Sequence, residues 1–330
     1  MARPAGEESE LEALSEVLRD VKLTGAVFLD AEFSEPWCIA ARGRFARVLM
    51  PEAEHFIHYH LMVDGRCRVR AGEGPEIALE VGDVLVVPHG DEHVMGSNLA
   101  LAARPLSEVL RPPGRGEIAL ARYGGDGART RFVCGFLGCD PQLCRPILAA
   151  LPSLFRVSIG RSPAGEWIRS SIRHLVSEGT SPRAGADVIL ARLSEALFVE
   201  VLRAYVEALP PGQTGWLAGL RDPHVGRGLK LLHQRFRHPW TVDELAREVG
   251  CSRTVLAERF THYLGQPPIQ YLTRWRLARA ASRLREGGAR LARVAEEVGY
   301  ESETAFNRAF KREFGVPPAS WRRRALAAKA

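Results

Sequence analysis

Apolar residues recur at matching helical spacings in two segments near the end of the chain, 241–250 and 289–299. In both segments the apolar positions follow an i, i+3, i+4, i+7 order, which places them on one face of a helix. They are Val242, Leu245, Ala246 and Val249 in the first segment and Leu291, Val294, Ala295 and Val298 in the second. Gly250 and Gly299 predict the end of each helix, because glycine adopts the left-handed conformation at little cost.

A second amphipathic helix is predicted after each glycine, over 252–265 and 302–315. Its apolar face is formed by Leu256, Phe260 and Leu264 in the first copy and by Phe306, Phe310 and Phe314 in the second. Both copies end in a Gly-x-Pro-Pro sequence, GQPP and GVPP. The pattern therefore predicts two helix-turn-helix units, at 241–264 and 290–314, about fifty residues apart.

The polar faces of the two second helices supply candidate DNA contacts. The side chains predicted to face solvent are Ser252, Arg253, Thr254, Ala257, Glu258, Ser302, Glu303, Thr304, Asn307, Arg308 and Lys311. A DNA major groove admits one helix, and arginine, asparagine and threonine can read base edges there. An arginine-rich helix between the units would fix the distance between them, about 34 Å for two reading helices on one face of DNA.

The charge distribution supports a polyanion partner for this end of the chain only. Residues 221–330 hold 22 Lys and Arg against 11 Asp and Glu, so this segment has a net charge of +11. The whole chain has a net charge of +6. The remaining residues carry −5, so a basic module follows a slightly acidic one.

The first two thirds of the chain read as short strands joined by glycine and proline turns. Residues 56–72 predict a hairpin around Asp64-Gly65, and residues 76–95 predict two strands around Gly82-Asp83. Residues 130–140 predict a later strand. This pattern is typical of a closed or sandwiched β domain.

Residues 222–323 resemble the DNA-binding domain of the AraC/XylS family of bacterial transcription regulators. The second unit carries the most diagnostic positions: Gly299, Tyr300, Ser302, Phe306, Arg308, Phe310, Lys311, Gly315, Pro318 and Trp321. The resemblance implies base contacts from Arg253, Thr254, Ala257, Glu258, Glu303, Thr304, Asn307 and Arg308. It implies phosphate contacts from Ser252, Ser302 and Lys311. Ala257 and Glu258 depart from the larger polar or basic groups that many members have at these positions, so weaker base contacts are expected there.

The strand-rich region resembles the cupin-type sensor domain that precedes many AraC-family DNA-binding domains. His58-x-His60 matches the core of the first cupin motif, and Gly82-x5-Pro88-x-Gly90-x2-His93 matches the second. Asp64 and Ser97 stand near the positions of the usual metal-binding Glu and the usual Asn, so the standard set is incomplete. His58, His60, His93, Cys134 and Cys139 remain a candidate zinc set, since nitrogen and sulfur donors suit zinc; the alternative is that they are packed side chains.

Six cysteines raise a second kind of signal, oxidation of a thiol. Cys134, Cys139 and Cys144 are the candidates for a redox switch, although buried cysteines without metal or redox roles are more common. The effector is therefore left open between a small molecule, a metal and an oxidant.

A long apolar helix over 186–208 closes the first region, and residues 209–226 predict a linker. Burial on both sides is predicted because the helix has a wide apolar stripe. The stripe consists of Leu190, Leu193, Leu197, Val201 and Ala204, and it is widened by Ile189, Ala196, Leu202 and Tyr205. The helix is either a dimerisation helix, as in the family, or an ordinary buried helix.

These observations predict a multidomain α+β protein. An N-terminal cupin-like β-barrel (a double-stranded β-helix) with helices covers 1–208, a linker covers 209–226, and an all-α domain with two helix-turn-helix units covers 227–326. We expect a cytoplasmic, homodimeric, sequence-specific transcription regulator, not an enzyme, that binds double-stranded DNA and contacts RNA polymerase. The alternatives are a cupin-type metalloenzyme with a DNA-binding arm, a thiol-based redox regulator, and an architectural binder without sequence preference. No apolar run approaches the length of a membrane span, so no membrane partner is expected.

Overall fold

The computed structural model describes residues 12–21, 23–41, 53–111, 118–160, 162–177 and 185–327. The chain divides into two compact units. The strand-rich unit comprises Leu23–Cys139 and Leu151–Ala208, and the helical unit comprises Met1–Lys22, Asp140–Ala150 and Leu209–Ala330.

The strands all lie in the strand-rich unit and form a seven-stranded and a five-stranded sheet. They are β1 Thr24–Ser34, β2 Cys38–Ala41, β3 His55–Asp64, β4 Arg66–Ala71, β5 Ile77–Glu80, β6 Asp83–Val87, β7 His93–Gly96, β8 Arg104–Pro105, β9 Leu110–Arg111, β10 Ala119–Gly124, β11 Arg129–Cys139 and β12 Phe155–Ser158. The strand orders are β12-β6-β3-β11-β1-β10-β9 and β5-β4-β7-β2-β8.

The helices are distributed over both units. They are α1 Glu12–Asp20, α2 Leu106–Val109, α3 Pro141–Leu148, α4 Pro163–Ser177, α5 Ala186–Ala208, α6 Trp216–Gly219, α7 Pro223–Gln234, α8 Val242–Val249, α9 Arg253–Leu264, α10 Pro268–Glu286, α11 Leu291–Glu297, α12 Glu303–Phe314 and α13 Pro318–Ala327. Among the described residues, no helix is both long enough and apolar enough to cross a membrane.

The core of the strand-rich unit lies between its two sheets. Residues from both sheets form one buried cluster, including Leu29 and Phe132 from the larger sheet and Val69 and Met95 from the smaller one. The chain turns at Gly65, whose φ of 70° shows why a glycine follows Asp64. The hairpin predicted there was wrong, because β3 pairs with β6 and β11 in the larger sheet whereas β4 pairs with β5 and β7 in the smaller one. The predicted cupin-like double-stranded β-helix is confirmed.

The long helix α5 packs one face against the strand-rich unit. Leu190, Leu193, Leu197 and Val201 are buried, whereas Val188 and Ile189 are 58% and 51% exposed. Gly25 on β1 permits a close approach, because a Cβ there would lie 2.4 Å from the carbonyl oxygen of Ala191. The expectation that α5 is buried on both sides was therefore wrong within a single chain, because apolar side chains in its first turn are exposed to solvent.

The helical unit contains both predicted helix-turn-helix units, α8–α9 and α11–α12. Gly250 and Gly299 have φ values of 89° and 82°, the left-handed conformation that lets each turn reverse the chain. Thr241 caps α8 by accepting a hydrogen bond from the Glu244 backbone N–H at 3.1 Å. In a capping box the Glu244 carboxylate would in turn accept a hydrogen bond from the Thr241 backbone N–H. Here the carboxylate instead lies 2.7 Å from Nε2 of His238.

The stretch 209–226 is folded, so its prediction as a linker was wrong. It contains α6 and the start of α7, and Trp216, Leu217, Leu220 and Val225 are buried. Its proline and glycine residues mark helix ends: Pro223 lies in the first turn of α7, and the Asp222 side chain caps that helix. Composition alone gave the impression of a linker because these signals also occur between packed helices.

Two segments that precede residue 208 belong to the helical unit, in contrast to the predicted division. On α1, Glu12 pairs with Lys230 and Asp20 pairs with Arg279. Asp140, which caps α3, lies 3.0 Å from Arg285 of α10. These pairs join residues more than a hundred positions apart, a separation that local sequence patterns do not encode.

Candidate functional site

The helices α9 and α12 are packed in the same way at positions offset by fifty residues. Leu256 and Phe260 in α9, and Phe306 and Phe310 in α12, have no solvent exposure. Ser252 and Ser302 cap the two helices, accepting hydrogen bonds from the N–H groups of Val255 at 3.3 Å and Ala305 at 3.2 Å. Each helix therefore presents one fixed polar face to solvent.

The structure places most of the predicted DNA contacts on these two faces. The exposed residues among them are Ser252, Arg253, Thr254, Glu258, Ser302, Glu303, Thr304, Arg308 and Lys311. Ala257 and Asn307 occupy equivalent positions and are half-buried. The two serine hydroxyls, predicted to contact phosphate, already act as caps, although each retains its proton for a further hydrogen bond.

The two faces differ in charge. On α12, Arg308 and Lys311 form no ion pair or hydrogen bond with any described residue. On α9, Glu258 takes the place equivalent to Arg308, Thr261 takes that of Lys311, and Arg253 lies 3.6 Å from Asp243. The second face therefore carries two uncommitted cations, and the first carries none at the equivalent positions.

Sequence reasoning missed two further exposed side chains, His262 and Arg312, which occupy equivalent positions next to these faces. Aligning the two helices with an offset of fifty residues would have identified them, because Thr261 and His262 align with Lys311 and Arg312. The arginines of the connecting helix α10 mostly have partners inside the unit. Arg274 contacts Gln266, Arg276 three backbone carbonyls, Arg279 Asp20, Arg283 Glu297, and Arg285 Asp140.

A separate polar cluster is buried in the strand-rich unit. His60 Nε2 lies 2.9 Å from His93 Nε2, and His60 Nδ1 lies 2.8 Å from Cys134 Sγ. His93 Nδ1 lies 3.1 Å from the carbonyl oxygen of Asp91, which can only accept, so this nitrogen carries the proton. In the uncharged state His60 Nε2 then donates to His93, and the Cys134 thiol donates to His60 Nδ1. The tautomers thus follow from one backbone carbonyl.

The pKa shifts agree with this uncharged chain. Burial lowers the pKa of His60 well below its usual value, and His93 and His58 add to that effect. Burial also lowers the pKa of His93, and it raises the pKa of the Cys134 thiol well above its usual value. A proton can be shared along the chain, but a reactive thiolate is disfavoured.

The five candidate zinc ligands do not come together as one site. Cys134 and His93 lie on opposite edges of the His60 ring, so one ion cannot reach all three at bonding distance without rearrangement. Cys139 stands opposite His55 at the far end of the β3–β11 pairing, whereas Cys134 stands opposite His60. Within the described parts of the chain, no group of three such side chains has metal-binding geometry. The spacing argument failed because it fixed neither strand register nor ring orientation.

Both halves of the chain match known families. A model described as Cupin matches residues 12–207, and a model described as Helix-turn-helix domain matches residues 245–324. A putative AraC-like transcription regulator of Streptomyces antibioticus is 33% identical over 286 residues, which cover 86% of this chain and 92% of the relative.

Two further relatives extend the similarity along most of the chain. The HTH-type transcriptional regulator AlkR of Acinetobacter baylyi is 26% identical over 316 residues, covering 94% of this chain and 99% of AlkR. The RCS-specific HTH-type transcriptional activator RclR of Escherichia coli is 28% identical over 269 residues, covering 81% of this chain and 84% of RclR. The similarity therefore includes the strand-rich unit as well as the helix-turn-helix units.

Proposed function

Since the chain belongs to the AraC-like family of DNA-binding transcription regulators, we propose that it recognises a specific operator through α9 and α12. The observation that carries this proposal is the exposed, uncommitted pair Arg308 and Lys311 on a helix whose other face is locked into the core. Arginine can make two hydrogen bonds to a guanine edge, and lysine suits a phosphate.

The proposed base contacts are those of the two polar faces: Arg253, Thr254, Ala257, Glu258, Glu303, Thr304, Asn307 and Arg308. The proposed phosphate contacts are Ser252, Ser302 and Lys311. We assign the larger share of sequence discrimination to α12. Arg253 would have to leave Asp243 to reach a base, and Glu258 repels phosphate.

A selection of genomic fragments with the purified full chain tests this proposal. We expect a few fragments to be enriched and to share two sequence elements about 10 to 10.5 base pairs apart, one per helix-turn-helix unit. The Arg308→Ala variant should lose the enrichment. The control variant Arg203→Ala, which changes an exposed arginine of the strand-rich unit, should keep it. Recovery of all fragments in proportion to abundance, with steep salt dependence, would instead identify an architectural binder.

We assign the signal-receiving role to the strand-rich unit and leave the chemical nature of the signal open between a small molecule and an oxidant. The chain has no enzymatic role in this proposal, because a cupin metalloenzyme needs several ligands around one open ion. Here His60 engages Cys134 and His93 with its two different ring nitrogens. A metal-dependent change in DNA affinity, after removal and return of zinc, would contradict this assignment.

We further propose that the protein works as a cytoplasmic homodimer that contacts RNA polymerase. The exposed apolar side chains of Val188 and Ile189 on α5 support a self-association surface. Analytical ultracentrifugation of the full chain should give a dimer, and Ile189→Glu should give a monomer that still folds. A wild-type monomer at micromolar concentration would remove the dimer from the proposal.

A further inference from the structure

A cavity of about 290 Å³ lies in the helical unit, away from the polar faces of α9 and α12. Its size is near the lower end of the range for small-molecule sites, about 300–1,000 Å³. Five aromatic residues line it: Trp216, Tyr263, Tyr271, Trp275 and Phe314. The cavity is therefore suited to a flat apolar group that can stack against aromatic rings.

The charged residues at the cavity carry an excess of positive charge. Glu313 is shared between two guanidinium groups, with Oε1 at 3.7 Å from Arg145 Nη1 and Oε2 at 3.6 Å from Arg274 Nε. Both distances are longer than a direct hydrogen bond, so the arginines keep donors available for another acceptor. Two arginines and one glutamate leave one positive charge beside an aromatic pocket.

One donor of a cavity-lining residue has no partner within the protein. Trp275 lines the cavity and is 3% exposed, and its indole nitrogen is buried without a hydrogen-bond partner among the described residues. By contrast, the indole nitrogen of Trp216 donates to the Tyr271 hydroxyl at 2.9 Å. Buried donors are rarely left unpaired, because an unmade hydrogen bond costs free energy. Because this nitrogen is shielded from the open cavity, a ligand oxygen would reach it only after the Trp275 ring moves.

We propose that this cavity binds a small aromatic carboxylate. The ring would lie among the five aromatic side chains, and the carboxylate would accept charge-assisted hydrogen bonds from Arg145 and Arg274. The ion pairs of Glu313 with both arginines would then weaken. This binding is independent of the proposed function; only its consequence for DNA rests on that function.

The position of the cavity gives ligand binding a consequence for the two reading helices. Tyr263 and Leu264 belong to the last turn of α9, and Glu313 and Phe314 belong to the last turn of α12. A bound ligand would contact both helix ends and restrict their relative orientation. A ligand shifts an equilibrium only through its preference for one state, so binding that favours the DNA-competent arrangement raises DNA affinity. We expect a rise of about fivefold or more.

Calorimetric titration of the full chain with 1-naphthoate tests the binding. We expect saturable 1:1 binding of 1-naphthoate to the wild-type protein. The Arg145→Met and Arg274→Met variants should bind it at least about tenfold more weakly. The wild-type protein should bind the uncharged 1-naphthalenemethanol as weakly as these variants bind 1-naphthoate. Arg290→Met, on an exposed arginine outside the cavity, is the matched control and should bind like the wild type. Ala149→Trp adds bulk at an exposed wall residue and should block binding without crowding the core.

The inference is overturned if 1-naphthoate shows no saturable binding at millimolar concentration. It is also overturned if the alcohol binds equally well or if neither arginine variant weakens binding. Circular dichroism of each variant verifies folding, and Arg145, which is 64% exposed at its side chain, is the variant least able to disturb it. Gel-shift assays with the selected operator, without 1-naphthoate, separate the two proposals. Operator binding without ligand binding removes only the cavity, and ligand binding without operator binding removes only the proposed function.

Discussion

Arg276 in the middle of α10 donates a hydrogen bond from Nη1 to the carbonyl oxygen of Gly299 at 3.2 Å. Its Nε and Nη2 groups donate to the carbonyl oxygens of Phe236 at 2.6 Å and His238 at 2.8 Å. Gly299 forms the turn of the second helix-turn-helix unit, and the other two residues precede the first. One guanidinium thus joins backbone segments of both helix-turn-helix units, and its burial lowers its pKa.

Replacing Arg276 by methionine should lower the local stability of the second helix-turn-helix unit more than that of the first turn of α10. Three carbonyl groups would lose a charged donor, and we expect the local opening free energy around Gly299 to fall by about 2 kcal/mol. That change corresponds to about a thirtyfold faster amide exchange in peptides that cover 299–310, measured by hydrogen–deuterium exchange. Arg290→Met, on an exposed residue, is the control, and equal exchange in both variants would show that Arg276 does not couple the units.

Arg308→Ala and Lys311→Ala should weaken DNA binding in different ways. Arg308→Ala should cost about 1–3 kcal/mol on the selected operator and relax discrimination at one base pair. Lys311→Ala should weaken all sequences to a similar degree and reduce the salt dependence by about one ion. Competition binding with single-base operator variants, repeated at several salt concentrations, separates the two. An equal loss on every sequence for Arg308→Ala would reassign Arg308 to phosphate.

The parts of the fold that local patterns determine were predictable. Both helix-turn-helix units follow from apolar spacing and from Gly250 and Gly299, because helix faces and left-handed turns involve residues close in sequence. The exposed positions of α9 and α12 followed from the same spacing. The pairing of Asp20 with Arg279, and the position of α3 in the helical unit, depend on contacts between distant residues, so no local pattern encodes them.

The strand-rich unit shows the same limit at its polar cluster. The motif positions correctly brought His60 and His93 together, since both lie on strands of one barrel. Whether Cys139 joins them depends on the register between β3 and β11, which places it opposite His55. Which ring nitrogen faces which partner depends in turn on the Asp91 carbonyl, and sequence spacing contains no information about it.

Ser302 offers a way to separate a helix cap from a phosphate contact. Ser302→Ala should destabilise α12 by about 1 kcal/mol, whereas Ser302→Gly should cost only a few tenths, because glycine is a tolerated cap. If the hydroxyl also contacts phosphate, both variants should weaken operator binding about equally. If it is only a cap, DNA affinity should follow helix stability and Ser302→Gly should bind nearly as the wild type does. Amide exchange in α12 and operator titrations provide the two measurements.

The buried cysteines should resist oxidation and alkylation in the folded protein. All six cysteines lie within the described residues, none forms a disulfide, and only Cys251 is half-exposed. We expect a maleimide reagent to label Cys251 first and to reach Cys134 only on unfolding, because burial raises the pKa of the Cys134 thiol. Mass spectrometry of labelled peptides measures the order. Rapid labelling of Cys134 in the native protein, together with oxidant-dependent DNA binding that Cys134→Ser abolishes, would contradict this prediction and identify an oxidant as the signal.

His233 should make the helical unit less stable in acid. It is buried in α7, Nε2 lies 2.8 Å from the Tyr271 hydroxyl, and burial, aided by Arg279, lowers the pKa of His233 to about 3. In the unfolded chain its usual pKa is near 6.5, so between these values the unfolded state binds the proton and the folded state does not. The stabilisation is therefore complete above about pH 6.5 and is lost as pH falls towards 3, at about 1.4 kcal/mol per pH unit.

A His233→Phe variant tests this dependence without relying on the other histidines, which are common to both proteins. Between pH 7 and pH 5 the free energy of unfolding of the helical unit should fall by about 2 kcal/mol more in the wild type than in the variant. Urea unfolding at each pH, followed by tryptophan fluorescence, provides the comparison. The lost hydrogen bond to Tyr271 shifts the variant by a constant amount at all pH values, so only the slope is diagnostic. Parallel pH curves for the two proteins would mean that His233 is already protonated or is exposed in the native state.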